Sequence, residues 1–576
     1  MAKFPLKRSK GSRRLSPTAD QSTAETPSRR TPIVDIGTDA GRVQLTAMLC
    51  EYVETELGAR TGLEEDWQRW LEHYKSDQLP EKTHPWPGAS NLSINLTAIY
   101  VDTLVAKIMQ SLFAATPFWV ATPLNKKYED AAEPLERYLD WLRQNAWNQY
   151  HVVKPMVLEL VKLGTGVLTN AWIDLPIVRT DETTGQLIEY GRRQGPRPQW
   201  VRLEDFLIPR GFNSINESEK GIRAPWIAYR QRFTKQDLQR LEYTEFLVNL
   251  DPVFKQRGDD PTTLDQQRQR GGEMSPEQGT TDETDIWAIW QVWCTWDLNG
   301  DGYPEDYVAY IHPASKTLLR LRPNPYLNGM RPFVACPFIE MEGEFYGIGA
   351  AEEVESYEAE VTTMHNQRID NGHIANTIVL AARRGSGITE KMRIYPGKVM
   401  LMTDPNDIKE IRFGQNYINS IQEEQLTIAM AERRVGISDL NLGRESSPLG
   451  RAAATTVMQL LQEGSRRHDL QTSDLRRALG EQAIQIVELF QAHGVPGPEV
   501  PGSPEQVLDE EGAMAVRAML TSDEGIAGIV GLQLNAVTQA VNKEVERQSD
   551  QEMFTVLTQQ YYQPILNVLP SLADPN

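Results

Sequence analysis

The chain has 576 residues, of which 40% are apolar and 24% charged, and its formal net charge is −20. This length is expected to divide into several domains, because a single core rarely serves more than about 250–300 residues. No apolar run reaches the ~20 residues that a membrane-spanning helix needs, and the acidity argues against global electrostatic capture of nucleic acid.

Residues 1–42 are rich in Ser, Thr, Pro, Lys and Arg and show no apolar period, so we expect a basic, flexible N-terminal arm. The basic start is not followed by an apolar stretch, and we therefore expect no secretory signal. Three scattered cysteines, Cys50, Cys294 and Cys336, are too few for a disulfide framework or a thiolate metal site. A reducing site of synthesis is the expectation.

The first third of the chain reads as helical, with apolar residues three or four positions apart. Helices are predicted at 43–74, 94–113, 129–144 and 153–163. A turn-dense segment, His84–Asn91, interrupts the pattern between the first two. After the fourth helix comes Gly164-Thr165-Gly166, and 167–173 reads as a strand.

The middle of the chain changes character. Short β-type runs alternate with turn residues at 199–232 and 287–337. Between them, 258–284 contains almost no apolar residue, and we expect a loop or mobile insertion there. Asp297–Gly302 resembles the start of a calcium loop, but its flanks read as strands and Val308 stands where a bidentate Glu belongs, which favours a hairpin turn.

The region after Phe345 has the most distinctive order. A helix with an apolar stripe at Val354, Tyr357, Val361 and Met364 leads into β-type runs at 377–382, 392–402 and 408–413. A second helix is predicted at about 416–435, followed by a loop at 436–450. A very long helix then runs from 451 to about 493, roughly 60 Å at ~1.5 Å per residue. The tail from Pro496 reads as mostly helical.

The sequence contains none of the common catalytic motifs. Gly164-Thr165-Gly166 lacks the third glycine of a nucleotide-binding loop and follows a helix, so a helix stop is favoured. No phosphate-loop, HExxH or GxSxG pattern occurs, and the eight histidines show no ligand spacing. We therefore expect no catalytic residues, no metal site and no cofactor.

Several short segments occur in a characteristic order: Trp86–Leu92, Leu163–Val167, Tyr346–Gly349, Asn366–Asp370, Tyr395–Gly397, Val435–Ile437 with Gly443, and Ala453–Thr456. Taken in this order, they resemble the portal proteins of tailed bacteriophages, in the podovirus-like and siphovirus-like branch. The resemblance extends over about 43–494. The order of helix, small β module, helix, loop and long helix is also similar to that family's core.

The resemblance implies an α+β, helix-dominated fold. It would contain an α/β wing, a two-helix stem, a small β-containing clip, a long wing helix and a helical crown. The implied ranges are 43–345 for the wing, 346–374 and 414–436 for the stem, 375–413 for the clip, 437–450 for the tunnel loop, 451–494 for the long helix and 495–576 for the crown.

The implied function is that of a dodecameric ring at one capsid vertex, not an enzyme, through which double-stranded DNA passes without sequence specificity during packaging and ejection. The implied partners are the terminase large subunit, a head-to-tail adaptor, the major capsid protein and a scaffold protein, and no membrane. The implied location is the virion, after assembly in the host cytoplasm. Two alternatives stay open: a head–tail adaptor or other connector, and a phage-encoded enzyme.

Two sets of residues are candidate contact sites under this resemblance. The tunnel-loop set is Leu442, Gly443, Arg444, Glu445, Ser446, Ser447 and Arg451. The arginines of that set would touch phosphate briefly, while Glu445 and the net charge would prevent lasting capture. The clip set, for docking of terminase and adaptor, is Arg383, Arg384, Lys391, Arg393 and Lys398. Ordinary solvated surface is the alternative reading of both sets.

Overall fold

A computed structural model describes most of the chain from Asp39 onward. The described residues are 39–75, 86, 88–180, 187–216, 222–244, 246–256, 258, 262–268, 285–298, 303–326, 329–376, 379–382, 408–411, 417–437, 454–522 and 529–535. Of the predicted N-terminal arm, only 39–42 are among them. The fold is mixed α and β and dominated by helices, as predicted.

The elements follow the predicted order closely. In the described part of the chain the helices are α1 (Asp39–Lys75), α2 (Leu96–Leu112), α3 (Glu129–Asn145), α4 (Gln149–Leu163), α5 (Lys235–Tyr243), α6 (Asp251–Phe254), α7 (Thr263–Arg268), α8 (Ala350–Asn376), α9 (Tyr417–Val435), α10 (Ala454–His493), α11 (Pro504–Val507) and α12 (Glu510–Leu520). The strands are β1 (Trp119–Pro123), β2 (Thr165–Thr180), β3 (Leu187–Val201), β4 (Phe206–Leu207), β5 (Trp226–Thr234), β6 (Ile286–Trp296), β7 (Glu305–His312), β8 (Thr317–Pro323), β9 (Phe333–Pro337), β10 (Val379–Ala382), β11 (Ile408–Ile411) and β12 (Val530–Leu534).

The largest apolar core joins α2, α3, α4, α10 and α12. Helix α3 is amphipathic, because its apolar residues recur three or four positions apart and therefore share one face. That face is buried, through Leu135, Tyr138, Leu139 and Leu142. The predicted apolar stripe of α10 is buried in the same core wherever its side chains are described, at Leu475, Leu479, Ala483, Ile486, Val487 and Phe490.

A strand from the C-terminal region closes this core. β12 pairs antiparallel with β1, from Trp119 opposite Leu534 to Pro123 opposite Val530. The β12 backbone also crosses α10 at Gly480, where an added Cβ would lie 3.1 Å from the carbonyl oxygen of Leu532. The prediction of a mostly helical tail is therefore wrong at 530–534, where edge pairing with β1 decides the conformation.

The second and third cores lie on the two faces of a five-stranded antiparallel sheet, in the order β4-β5-β6-β7-β8. Successive side chains of a strand point to opposite faces. In β6, Trp287, Ile289 and Trp293 join one core, and Trp290, Val292 and Cys294 join the other. The first half of α1 covers the second of these faces. The β6–β7 hairpin confirms that the flanks of Asp297–Gly302 are strands, with Trp296 paired to Glu305.

Helix α7 corrects the prediction of a loop or mobile insertion at 258–284. Leu264 is buried against the sheet. The guanidinium of Arg268 donates to Glu204 at 2.7 Å and also pairs with Glu159. Burial raises the pKa of the Glu159 carboxyl, and Arg268 opposes that effect. The sequence offered little apolar signal here because the segment is held mainly by buried charge pairs.

A third sheet has the order β3-β2-β9 and contains the longest hairpin of the described chain. β2 and β3 pair from Val167 opposite Val201 to Thr180 opposite Leu187. β9 pairs only with the first five residues of β2, 165–169. Beyond Thr169 the hairpin therefore continues as a two-stranded ribbon, which we call the β2–β3 arm (170–180 and 187–198).

Two glycine segments meet backbone to backbone where α4 ends. Gly164 stops the helix with φ of +90° and donates its N–H to the carbonyl oxygen of Leu160, so the helix-stop interpretation is confirmed. A Cβ on Gly164 would overlap the carbonyl of Gly347, and a Cβ on Gly347 would lie 2.7 Å from the carbonyl oxygen of Gly164. The Gly347 N–H donates to Thr165 Oγ1 at 2.8 Å. We call this contact the glycine junction.

Replacement of Gly164 by Ala tests the glycine junction. We expect Gly164→Ala to lower the free energy of unfolding by about 3 kcal/mol or more, because the new Cβ adds steric overlap to an unfavourable positive φ. Gly211→Ala is the matched control, since Gly211 has φ of +81° but no atom within 4 Å of an added Cβ; its loss should be about 1 kcal/mol. Equal losses in urea unfolding would contradict close packing at Gly164.

Candidate functional site: a helical hairpin and its docking face

Helices α8 and α9 form an antiparallel hairpin. Arg434 near the end of α9 pairs with Glu353 near the start of α8, at 3.1 Å. Farther along, Glu424 of α9 pairs with Arg368 and lies 3.5 Å from His365 of α8. At the far end, β10 and β11 pair antiparallel, from Val379 opposite Ile411 to Ala382 opposite Ile408.

The described part of this hairpin is acidic. α8 and α9 together carry nine carboxylates and three arginines. Two of those arginines, Arg368 and Arg434, are already paired with hairpin carboxylates. An exposed phosphate backbone would therefore meet repulsion from these helices, with little attraction to offset it.

One face of α8 is polar where it is buried, and this face docks an extended segment. Glu358, Thr362, Asn366 and Asp370 recur every four residues, so they lie along one side of the helix. Glu358 is 1% and Asn366 3% exposed. Each of the four bonds to the segment 90–97, which leads into α2. We call this set the docking ladder.

Asn366 is the central rung of the docking ladder. Its Oδ1 accepts from Leu92 N–H at 2.9 Å and from Ser90 Oγ at 2.7 Å, and its Nδ2 donates to the Leu92 carbonyl at 2.8 Å. Asp370 accepts from Ser90 N–H at 2.7 Å. Isolated backbone groups of an extended segment would be costly to bury, and these side chains supply the missing partners.

Glu358 caps α2 from another helix. Asn95, the N-cap residue of α2, makes no capping bond with its own side chain. Glu358 instead accepts from Thr97 N–H at 2.8 Å and from Thr97 Oγ1 at 2.6 Å. A carboxylate is favourable at a helix N-terminus, where unpaired N–H groups and the helix dipole present positive charge. Glu358 also lies 2.9 Å from His73 Nδ1 of α1.

The structure brings together motifs that lie far apart along the chain. Trp86–Leu92 contains Ser90 and Leu92, which bond to the docking ladder, and Asn366–Asp370 contains two of its four members, Asn366 and Asp370. Leu163–Val167 and Tyr346–Gly349 meet at the glycine junction. Glu358 and Thr362 were missed as functional positions, and their four-residue spacing with Asn366 was the available signal.

Both predicted contact sets lie outside the described residues. The clip set (Arg383, Arg384, Lys391, Arg393 and Lys398) falls between β10 and β11. The tunnel-loop set (Leu442, Gly443, Arg444, Glu445, Ser446, Ser447 and Arg451) falls between α9 and α10. The two sets are therefore attached at opposite ends of α9, whose 19 residues measure roughly 28 Å at ~1.5 Å per residue.

In the described part of the chain, no cluster of three or more His, Cys, Asp or Glu side chains has the arrangement to hold a metal ion. The described helices also include none that is long and apolar enough to cross a membrane.

Comparison with known proteins assigns the hairpin to a family. Residues 188–472 match the model of the family described as "Phage SU10 portal protein". The range runs from β3 into α10 and includes the whole α8–α9 hairpin. No curated protein matches the chain.

This match, with the hairpin and its flanking sheets, defines the class: a portal protein of a tailed phage. Within that class, the part of the chain that matches, residues 188–472, is similar to the phage SU10 portal protein family. The family is a structural one rather than an enzyme family. The docking ladder and the glycine junction tie the unmatched residues 88–167 to this matched range.

Removal of the Asn366 side chain tests the docking ladder. We expect Asn366→Ala to lower the free energy of unfolding by about 2–3 kcal/mol, because it leaves buried backbone groups of Leu92 without partners. Hydrogen exchange at the Leu92 amide should accelerate. Gln367→Ala, at the exposed neighbouring position, should stay within about 0.5 kcal/mol of the wild type. A similar loss in both variants would count against the ladder.

The contact between His73 and Glu358 predicts a pH dependence. The hydrogen bond to Glu358 raises the pKa of His73, against the opposing effect of burial. The contact between protonated His73 and Glu358 therefore stabilises the fold fully below the pKa of His73 in the unfolded chain, about 6.5. This stabilisation is lost as the pH rises through the higher pKa of His73 in the folded chain. We expect His73→Gln to flatten this part of the stability profile, measured by urea unfolding from about pH 5.5 to 8.5. An unchanged profile would remove His73 as its source.

Proposed function

We propose that the chain forms a dodecameric ring at one vertex of the capsid and that double-stranded DNA passes through the ring during packaging and ejection. The observation that carries this proposal is the acidic α8–α9 hairpin inside the matched portal range. Walls that repel phosphate suit DNA that must slide without being held. Twelve copies would together carry about −240, a field that opposes lasting capture.

We assign different roles to the segments at the two ends of the α8–α9 hairpin. Residues 346–374 and 414–436 form the stem, and 375–413 form the clip, which docks the terminase large subunit and later a head-to-tail adaptor. The segment 437–450 forms the tunnel loop, in which Arg444 makes brief, non-specific phosphate contacts. Base-edge contacts would stall transport, so only backbone contacts are proposed.

The remaining ranges belong to the wing and crown. Residues 43–345 form the wing, and 451–494 form its long helix. Residues 495–576 are proposed to form the crown, and its described elements α11, α12 and β12 pack on the core of the wing. Major capsid protein and a scaffold protein are the proposed partners of the outer surface, and the basic arm 1–42 suits an acidic one.

A charge reversal in the tunnel loop separates assembly from transport. We expect Arg444→Glu to form normal rings by negative-stain imaging but to package or retain several-fold less DNA, because it replaces a phosphate contact with repulsion. Reversal of the clip set should weaken terminase binding and leave the rings intact. Arg240→Glu on the exposed surface of α5 is the control. Wild-type packaging by Arg444→Glu would remove the tunnel-loop role, and a wild-type chain without rings would remove the portal ring.

A further inference from the structure

A cleft of about 330 Å³ opens between the β2–β3 arm and helix α3. Its floor is aromatic, formed by Tyr138, Trp141 and Phe490. The arm supplies the opposite wall through Ile173 and Ile177, and Ile177 is 48% exposed. A two-stranded ribbon without a third strand is marginally stable in water, so exposed apolar residues here favour a covering partner.

The rim of the cleft is basic. Arg193 and Arg197 line it and are exposed. Among the described residues neither has a carboxylate partner, whereas Arg192, which also lines the cleft, pairs with Asp174 at 3.4 Å. The cleft therefore combines an apolar floor with two cations, and this combination fits an apolar side chain flanked by carboxylates.

The chain carries such a group on a turn at the other end of the same sheet. Met341 is 43% exposed and stands beside Glu342 and Glu344, which are exposed as well. The turn is closed by Glu344 N–H donating to the Met341 carbonyl at 3.2 Å and by pairing of Ile348 with Ile339 at its base. We call the segment 340–344 the acidic turn. It is preorganised by its own backbone bonds.

The acidic turn cannot reach the cleft of its own chain. It follows β9, whose last residue Pro337 pairs with Thr165 at the start of β2. The cleft lies at 173–177 of β2. At ~3.3 Å per residue these positions are roughly 25–40 Å apart along the strand. The two surfaces are complementary, but they face different ends of the molecule.

We infer that the acidic turn of one copy seats Met341 in the cleft of the next copy, with Glu342 and Glu344 against Arg193 and Arg197. An interface between two different patches is heterologous, and such interfaces form a ring when the rotation from copy to copy closes. This inference rests on the proposed ring and adds the residues that would join its subunits. A nucleic-acid backbone is a poorer occupant, since the floor of the cleft is aromatic and offers phosphate nothing.

Charge exchange is the first test. Arg193→Glu with Arg197→Glu, and separately Glu342→Lys with Glu344→Lys, should each raise the concentration for half-assembly at least about tenfold by mass photometry. The chain with all four changes should recover most of the assembly, because the attraction is restored with reversed signs. Arg240→Glu with Lys255→Glu matches the arginine pair in charge change at exposed sites elsewhere and should assemble normally.

Disulfide trapping is the second test, and it does not depend on charge. Asn145 is exposed and lines the cleft, and the three native cysteines are buried. Asn145→Cys with Met341→Cys should give a ladder of covalent multimers on oxidation, because each copy joins two neighbours. Each single variant should give no such ladder.

The outcomes separate this inference from the portal proposal. Two results would overturn the inference and leave the proposed ring intact, provided that the wild-type chain forms rings. One is normal assembly of both charge-reversed variants. The other is the absence of covalent multimers from the Asn145→Cys, Met341→Cys double variant. Normal rings that retain less DNA only in the arginine variant would assign the cleft rim to nucleic acid instead. A wild-type chain that forms no rings and no ladder would overturn both.

Discussion

The close approach of two backbones at the glycine junction is the constraint on which the rest of the architecture depends. Gly164 lies between the end of α4 and the start of β2, and Gly347 leads into α8, so one contact fixes the directions of three elements. No side chain fits between them. Because only residues without a Cβ permit the approach, sterics at this contact add a fixed distance to the apolar packing that already joins the hairpin to the helical core through Val354, Val361 and Val435.

The docking ladder fixes the register between α8 and the segment that leads into α2. Apolar contacts tolerate small sliding motions, but hydrogen bonds from Glu358 and Asn366 to the backbone of 92–97 require one register. The polar residues are buried only because each finds a defined partner. The acidic character of the hairpin thus has two parts: buried carboxylates hold the scaffold together, and exposed ones define the surface offered to the channel we propose.

Most individual elements could be predicted from the sequence, because amphipathic periods and turn residues are local signals. The long stripes of α3 and α10 are examples. Pairings over long sequence distances could not be predicted in this way. β12 is a five-residue strand that gains its conformation from β1, more than 400 positions earlier, and α7 is held by buried ion pairs that leave no apolar period. The candidate contact sets came from family resemblance alone, whereas the ladder's four-residue spacing was present in the sequence and became meaningful only when Ser90 and Leu92 were seen beside it.

The docking ladder also has a mechanical consequence. Its four attachment points extend over 12 residues of α8, roughly 18 Å at ~1.5 Å per residue. The hairpin is therefore held along the length of α8 and cannot rotate about a single contact. A push or twist applied at β10 and β11 is carried along α8 and spread over several bonds into α1 and α2. Load from a motor at that end would therefore reach the body of the subunit as shear across many parallel bonds, each bearing a fraction of it.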